Sequence, residues 1–132
     1  MDKHIAKSML IWLSITPLAI LNGGLREYVL LPRLGAIAVP ISGILLTLCI
    51  IVVSYIFLPR LGSAKKSTYV KMGIIWLIAT VVFEFMVGVV TKTPLSEMLR
   101  AYDFTTGNLW LFIVIFIGFV PTIVAKLKRL SN

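Results

Sequence analysis

Four apolar blocks, at residues 8–25, 36–58, 70–90 and 109–127, take up most of this 132-residue chain. Each comes to about 20 residues, the length a helix rising about 1.5 Å per residue needs to cross a hydrocarbon core of roughly 30 Å. Transmembrane β-strands would read as alternating segments of about 9–11 residues, and these runs do not alternate. Charged residues make up 14% and hydrophobic residues 59% of the chain, against roughly 25% charged in an ordinary soluble domain. Mean hydropathy is +1.02. Lipid is the natural solvent for such a chain. The expectation is therefore all-α: an integral membrane four-helix bundle forming a single domain over residues 1–132. Pro17, Pro40 and Pro121 lie near the ends of their blocks, where a proline starts or mildly kinks a helix without stranding many backbone groups.

The first block carries Lys3 and Lys7 ahead of its apolar run, as a signal peptide does. Pro17, Asn22, Gly23, Gly24, Arg26 and Glu27 follow it, with no small-residue cleavage site. It reads as a retained span.

A formal net charge of +8 and a pI near 10.0 raise the question of nucleic acid. The bases, however, sit at the edges of the apolar blocks and form no stripe. The positive-inside rule and attraction to anionic headgroups account for them. With the N-terminus cytoplasmic, nine of the 13 bases fall inside: Lys3, Lys7, Arg60, Lys65, Lys66, Lys71, Lys126, Lys128 and Arg129. Arg26, Arg33, Lys92 and Arg100 fall outside. That bias places both termini in the cytoplasm, in a membrane of the bacterial cytoplasmic type, and argues against dual topology. Trp12, Tyr55 and Tyr69 then fall near the inner interface, and Tyr28, Tyr102 and Trp110 near the outer one. Expected partners are membrane lipids and either further copies of the chain or a larger membrane protein, with no nucleic acid.

The loop at 59–68 is a short basic turn that holds topology among headgroups, with lipid recognition as the sharper alternative. The loop after the third block differs. Thr93 is placed to cap a helix with Pro94 at its first position. Leu95, Met98, Leu99 and Tyr102 recur at helical spacing opposite Ser96, Glu97, Arg100 and Asp103. This predicts a short amphipathic interfacial helix between spans three and four, followed by a turn through Asn108. An internal echo links Tyr28-Val-Leu-Leu-Pro-Arg-Leu-Gly35 with Tyr55-Ile-Phe-Leu-Pro-Arg-Leu-Gly62, 27 residues later. The residues before each copy do not match, so the echo reads as two similar helix exits, with an inverted repeat as the alternative.

Glu84 stands alone in an apolar stretch, about 21 Å along span three. A carboxylate facing lipid at that depth is costly, so it should point into the protein. Gly73, Leu77, Thr80, Glu84, Gly88 and Thr91 share one helix face. Near the end of span one, Asn22 shares a face with Arg26, and Gly23 with Glu27. An arginine fork can hold two carboxylates, so Arg26 is placed to bridge Glu84 and Glu27. Ala19 and Gly23 have the spacing of a close helix contact. Asn22, Arg26, Glu27 and Glu84, with Arg100, Tyr102, Asp103 and Asn108 above them, form the candidate polar, ligand-binding cluster.

Other chemistry is thin. His4 and Cys49 are the sole histidine and cysteine, so neither a zinc ligand set nor a Cys–His pair can be assembled. No phosphate loop, glycine-rich dinucleotide motif or serine elbow is present. No cofactor and no metal are expected. Cys49, deep in span two, reads as a buried structural thiol, and Ser14, Ser42 and Ser54 have no base in register. Three functional readings follow. The leading one is a non-enzymatic interaction or assembly subunit whose polar cluster is structural. The second is a small transporter or channel module using Glu84 and Arg26. The third is a membrane enzyme acting on a lipid at the outer leaflet, so whether the chain catalyses anything stays open at this stage.

Overall fold

The computed structural model describes residues 3–62, 64–100 and 110–129. Helix α1 runs over Lys3–Leu25 and passes into a π-helical turn, Arg26–Leu30. A short α2, Leu31–Leu34, and a 3-10 turn, Gly35–Ile37, lead to α3, Ala38–Phe57. A second 3-10 turn, Leu58–Leu61, precedes α4 at Lys66–Val90, then α5 at Leu95–Arg100 and α6 at Trp110–Leu127. The protein is helical and transmembrane in character. Among the described residues, three stretches are long and apolar enough to cross a bilayer: Lys3–Leu61, Lys66–Val90 and Trp110–Leu127. Large apolar side chains such as Leu10, Ile44, Val52, Ile78, Val82 and Phe119 lie exposed along the long helices. No soluble monomer would leave so much apolar surface in water.

Where four separate spans are expected, the described residues form three qualifying stretches, because the first is a continuous helical run of 59 residues. At about 1.5 Å per residue such a run would exceed 80 Å if straight. Instead it doubles back. Gly35 adopts φ 66°, the left-handed region that a residue with a Cβ enters at a cost, and α1 packs along α3. A Cβ at Gly62 would lie 3.9 Å from His4 Nε2, and Ser42 bonds Asn22. The two helices are thus antiparallel over their whole length.

The echoed segments build the same device twice. In each, Leu-Pro-Arg-Leu makes a last helical turn, and a glycine of positive φ ends it: Gly35 at 66° and Gly62 at 88°. The Gly35 N–H is bonded to the Leu31 carbonyl, and the Gly62 N–H to the Pro59 carbonyl at 3.2 Å.

The remaining packing completes a ring in which α1 and α6 each contact both α3 and α4. The tightest approach is between α4 and α6, where a Cβ on Gly73 would collide with the carbonyl of Gly118. This is the small-residue contact that Ala19 and Gly23 were expected to make. An added Cβ at Gly23 meets nothing nearer than the Arg26 side chain, 3.9 Å away. The solid core lies at the lysine-rich end, around Ile5, Leu58, Tyr69, Met72, Trp76, Val120 and Val124.

Several expectations are corrected. Tyr69, expected at the interface, is buried, and its hydroxyl donates to the Gly62 carbonyl at 3.2 Å. Cys49 is exposed rather than buried, because α3 buries every fourth residue from Ala38 through Ser42, Leu46, Ile50 and Ser54, and Cys49 falls beside that ridge. A helix is present over Leu95–Arg100, but it starts after Pro94, whose carbonyl accepts from Glu97 and Met98. Thr93 Oγ1 lies 2.8 Å from Thr91 Oγ1 instead of capping. Met98 covers Gly88, while Leu95 and Leu99 stay exposed.

Gly73→Ala forces two backbones apart and is expected to destabilise the protein by about 1–3 kcal/mol. Gly88→Ala only displaces the flexible Met98 side chain and should cost less than about 1 kcal/mol. Unfolding titrations of both variants in detergent would check the contrast, which equal destabilisation would contradict.

Candidate functional site

Opposite the solid end, the helices enclose a cavity of about 510 Å³. Asn22, Arg26, Glu27 and Glu84 all line it. Its walls are apolar, with Ile15, Leu46, Ile50, Phe83, Ile113 and Ile117 among them.

The floor is built from two tryptophans. Trp76 of α4 donates from Nε1 to Ser8 Oγ of α1 at 3.2 Å, and Ser8 donates to the Ile5 carbonyl at 2.7 Å. One turn higher, Trp12 of α1 donates to Thr80 Oγ1 of α4 at 3.0 Å, and Thr80 donates to the Trp76 carbonyl at 2.7 Å. Each helix thus lends the other an indole and a hydroxyl, spaced i, i+4 on both. The two contacts advance together along the chain, so α1 and α4 run parallel. Trp12 also meets Phe83 edge to face, with ring centroids 6.1 Å apart. Trp12 is therefore turned into the protein, not out to the interface where the sequence placed it. Trp76 is fully buried, so its N–H depends on Ser8 entirely.

Above the floor, α1 and α4 both contribute to the cavity wall. Ile20 of α1 and Val87 of α4 both line the cavity and are 61% and 41% exposed. The wall between these helices therefore reaches the lipid-facing surface.

The polar end is assembled from three directions. Asn22 Oδ1 accepts from Ser42 Oγ at 2.6 Å, tying α1 to α3. Arg26 Nε donates to Glu27 Oε1 at 3.4 Å, with both side chains partly exposed, which makes this a weak surface pair. Glu84 is half-buried and its Oε2 accepts from Trp110 Nε1 of α6 at 2.6 Å. Among the described residues, Arg26 pairs with Glu27, and Glu84 accepts from the Trp110 indole N–H. Arg100 is exposed at the end of α5 and does not line the cavity. Tyr102, Asp103 and Asn108 lie outside the described residues.

Sequence reasoning missed Ser8, Trp12, Ser42, Trp76 and Trp110 as parts of this site. Their partners are 20, 26 or 68 residues away, and helical spacing carries no signal across such separations. The face of α4 was readable: Gly73, Thr80 and Gly88 are buried on it and Glu84 is half-buried, while Thr91 is exposed.

The described lining supplies charge, hydrogen bonds and apolar surface. Among the described residues there is no group of three or more histidines, cysteines, aspartates or glutamates placed to hold a metal ion. No family model, curated protein or solved structure matches the chain.

Ser8→Ala leaves the buried Trp76 N–H without its acceptor and is expected to cost about 1–2 kcal/mol. Thr80→Val acts on the half-buried Trp12 and should cost nearer 0.6 kcal/mol, about the average of measured interhelical bonds. In a Trp76→Phe background the Ser8→Ala effect should disappear. A double-mutant cycle measures this, and an undiminished effect would mean the bond contributes nothing.

Proposed function

We propose that this chain is a small polytopic membrane protein that receives an amphiphilic molecule into its intramembrane cavity, as a binding or permeation module. The observation that carries the reading is the joining of Asn22, Arg26, Glu27 and Glu84 with apolar walls around one space of about 510 Å³. That volume lies in the range of small-molecule sites, which are mostly apolar with a few placed polar groups. Arg26 bonds Glu27 and Glu84 bonds Trp110, so both charged groups are held at the wall of the cavity.

In this reading the chain crosses the bilayer four times, α1 and α3 making two crossings within the 59-residue stretch. The support is directional. Helices α1 and α4 run parallel through their tryptophan contacts, and α3 runs back antiparallel along the length of α1. Both termini lie in the cytoplasm, supported by the nine bases at the solid end.

An assembly role is the second reading. What favours it is an apolar groove of about 360 Å³ between α3 and α6, lined by Ile44, Thr47, Leu48, Phe112, Ile113 and Phe116. Such a face suits a neighbouring transmembrane helix from another copy or a larger protein. Recovery of the chain as a monomer from native-lipid nanodiscs would rule it out.

Access to the cavity is tested in a Cys49→Ala background. A cysteine at Leu46, on the cavity wall, is expected to react with a small water-soluble thiol reagent. One at Val120, in the solid core, is expected to be protected. Ala19→Phe, which fills part of the space, should slow the Leu46→Cys reaction at least about tenfold. Equal protection at the two positions would defeat the cavity reading. With a membrane-impermeant reagent, Lys65→Cys should label from the cytoplasm and Lys92→Cys from the opposite side. Labelling of both from one side would overturn the topology.

A further inference from the structure

Most hydrogen-bond donors on the cavity lining are spent within the protein. Of the indoles, Trp12 donates to Thr80, Trp76 to Ser8 and Trp110 to Glu84. The hydroxyls are committed as well: Thr16 donates to the Trp12 carbonyl at 3.2 Å, Thr80 to the Trp76 carbonyl, and Ser42 to Asn22. Among the described residues, the lining donors left for an occupant stand at the polar end, where α1 runs into its π-helical turn. They are the Asn22 amide, bonded through its oxygen, and the terminal nitrogens of Arg26, which gives Nε to Glu27. Arg26 Nη2 lies back along its own helix, 3.9 Å from where a Cβ on Gly23 would stand, and Gly23 is itself part of the lining. The lining extends about 21 Å along the chain from Trp12 to Arg26. It is aliphatic and aromatic below, with free donors on top.

We propose that the cavity takes one acyl chain of a glycerolipid from the surrounding bilayer, its ester carbonyl accepting from Asn22 Nδ2 and the Arg26 guanidinium. A carbonyl oxygen has two lone pairs, enough for both donors. The chain lies against Ile15, Leu46, Ile50 and Ile117, towards the floor made by Trp12 and Thr80. This rests on the cavity reading above and names the occupant. Ile20 and Val87 belong both to the lining and to the exposed surface, so the chain passes between α1 and α4 without entering water. A compact polar molecule is a poor match, because its polar groups would give up water for a wall whose described donors are already committed. An anionic head matches less well than a neutral carbonyl, because Glu27 holds the same guanidinium.

Thiol protection tests this on the purified full chain in a bile-salt micelle, whose fused-ring detergent has no acyl chain, with phosphatidylcholine added stepwise. In the Cys49→Ala background, Leu46→Cys reports from the cavity wall. In the parent chain Cys49, exposed on α3, reports general shielding by the micelle. Diester phosphatidylcholine is expected to slow the Leu46→Cys reaction at least about tenfold and to leave Cys49 within about twofold. The diether analogue keeps the chains and lacks the carbonyls, so it should need about tenfold more lipid for the same protection, a difference of about 1.4 kcal/mol. Arg26→Met keeps the side-chain length and removes the donors, and should raise the diester requirement at least about threefold. The comparison of diester with diether needs no change at the donors and decides the matter if Arg26→Met does not fold. Protection of Leu46→Cys no greater than that of Cys49 overturns the assignment. Equal protection by diester and diether overturns it as well. The cavity reading falls with it only if, before lipid is added, the Leu46→Cys thiol is as unreactive as the Val120→Cys thiol.

Discussion

A buried indole N–H or hydroxyl in a bilayer has no water to turn to, so each must find its partner within the protein or leave a stranded polar group. Helices α1 and α4 meet that demand reciprocally. Ser8 and Trp12 on one face Trp76 and Thr80 on the other, two indole donors to two hydroxyls. Hydrophobic burial cannot bring these helices together, since lipid is as apolar as they are. The paired bonds fix which helices are neighbours, in which direction and at what height. Everything above Trp12, including the floor and width of the cavity, is set by that register.

The two ends of the protein follow different rules as a result. At the basic end, Tyr69, Met72, Trp76, Leu58 and Val120 are buried in one apolar cluster, and Gly73 and Gly118 bring α4 and α6 into backbone contact. At the other end polar contacts tie the helices together, Asn22 with Ser42 and Glu84 with Trp110. Space remains between those contacts. Polar groups that would be costly in lipid are retained there, which is the usual mark of a place where something binds.

How much of this was legible follows from what periodicity can encode. The long helices were readable because apolar length alone specifies them, and the inward face of α4 because Gly73, Thr80, Glu84 and Gly88 stand out against apolar neighbours. Helix α3 offers no such contrast. What contrast it has is faint, because only the small and polar residues Ala38, Ser42 and Ser54 mark the ridge against apolar neighbours, and Cys49, beside that ridge, was misplaced. The candidate cluster was half legible. Charge picked out Asn22, Arg26, Glu27 and Glu84, but it could not say that Arg26 would turn to its chain neighbour while an indole from α6 reached Glu84. Tryptophans look like interface anchors by composition. Their donors reveal otherwise only when the helix order is known.

The twin glycine exits have a metric meaning. From Gly35 to Gly62 is 27 residues, close to 40 Å of helix, which matches a hydrocarbon core together with much of its headgroup layers. The pair of stops therefore acts as a ruler. Inserting or removing a residue between them would change the reach by only about 1.5 Å but would swing everything beyond it by about 100°, turning the Ser42–Ser54 ridge out towards acyl chains. The thickness of the membrane this protein suits is written into the spacing of two short turns, and that spacing cannot be adjusted one residue at a time.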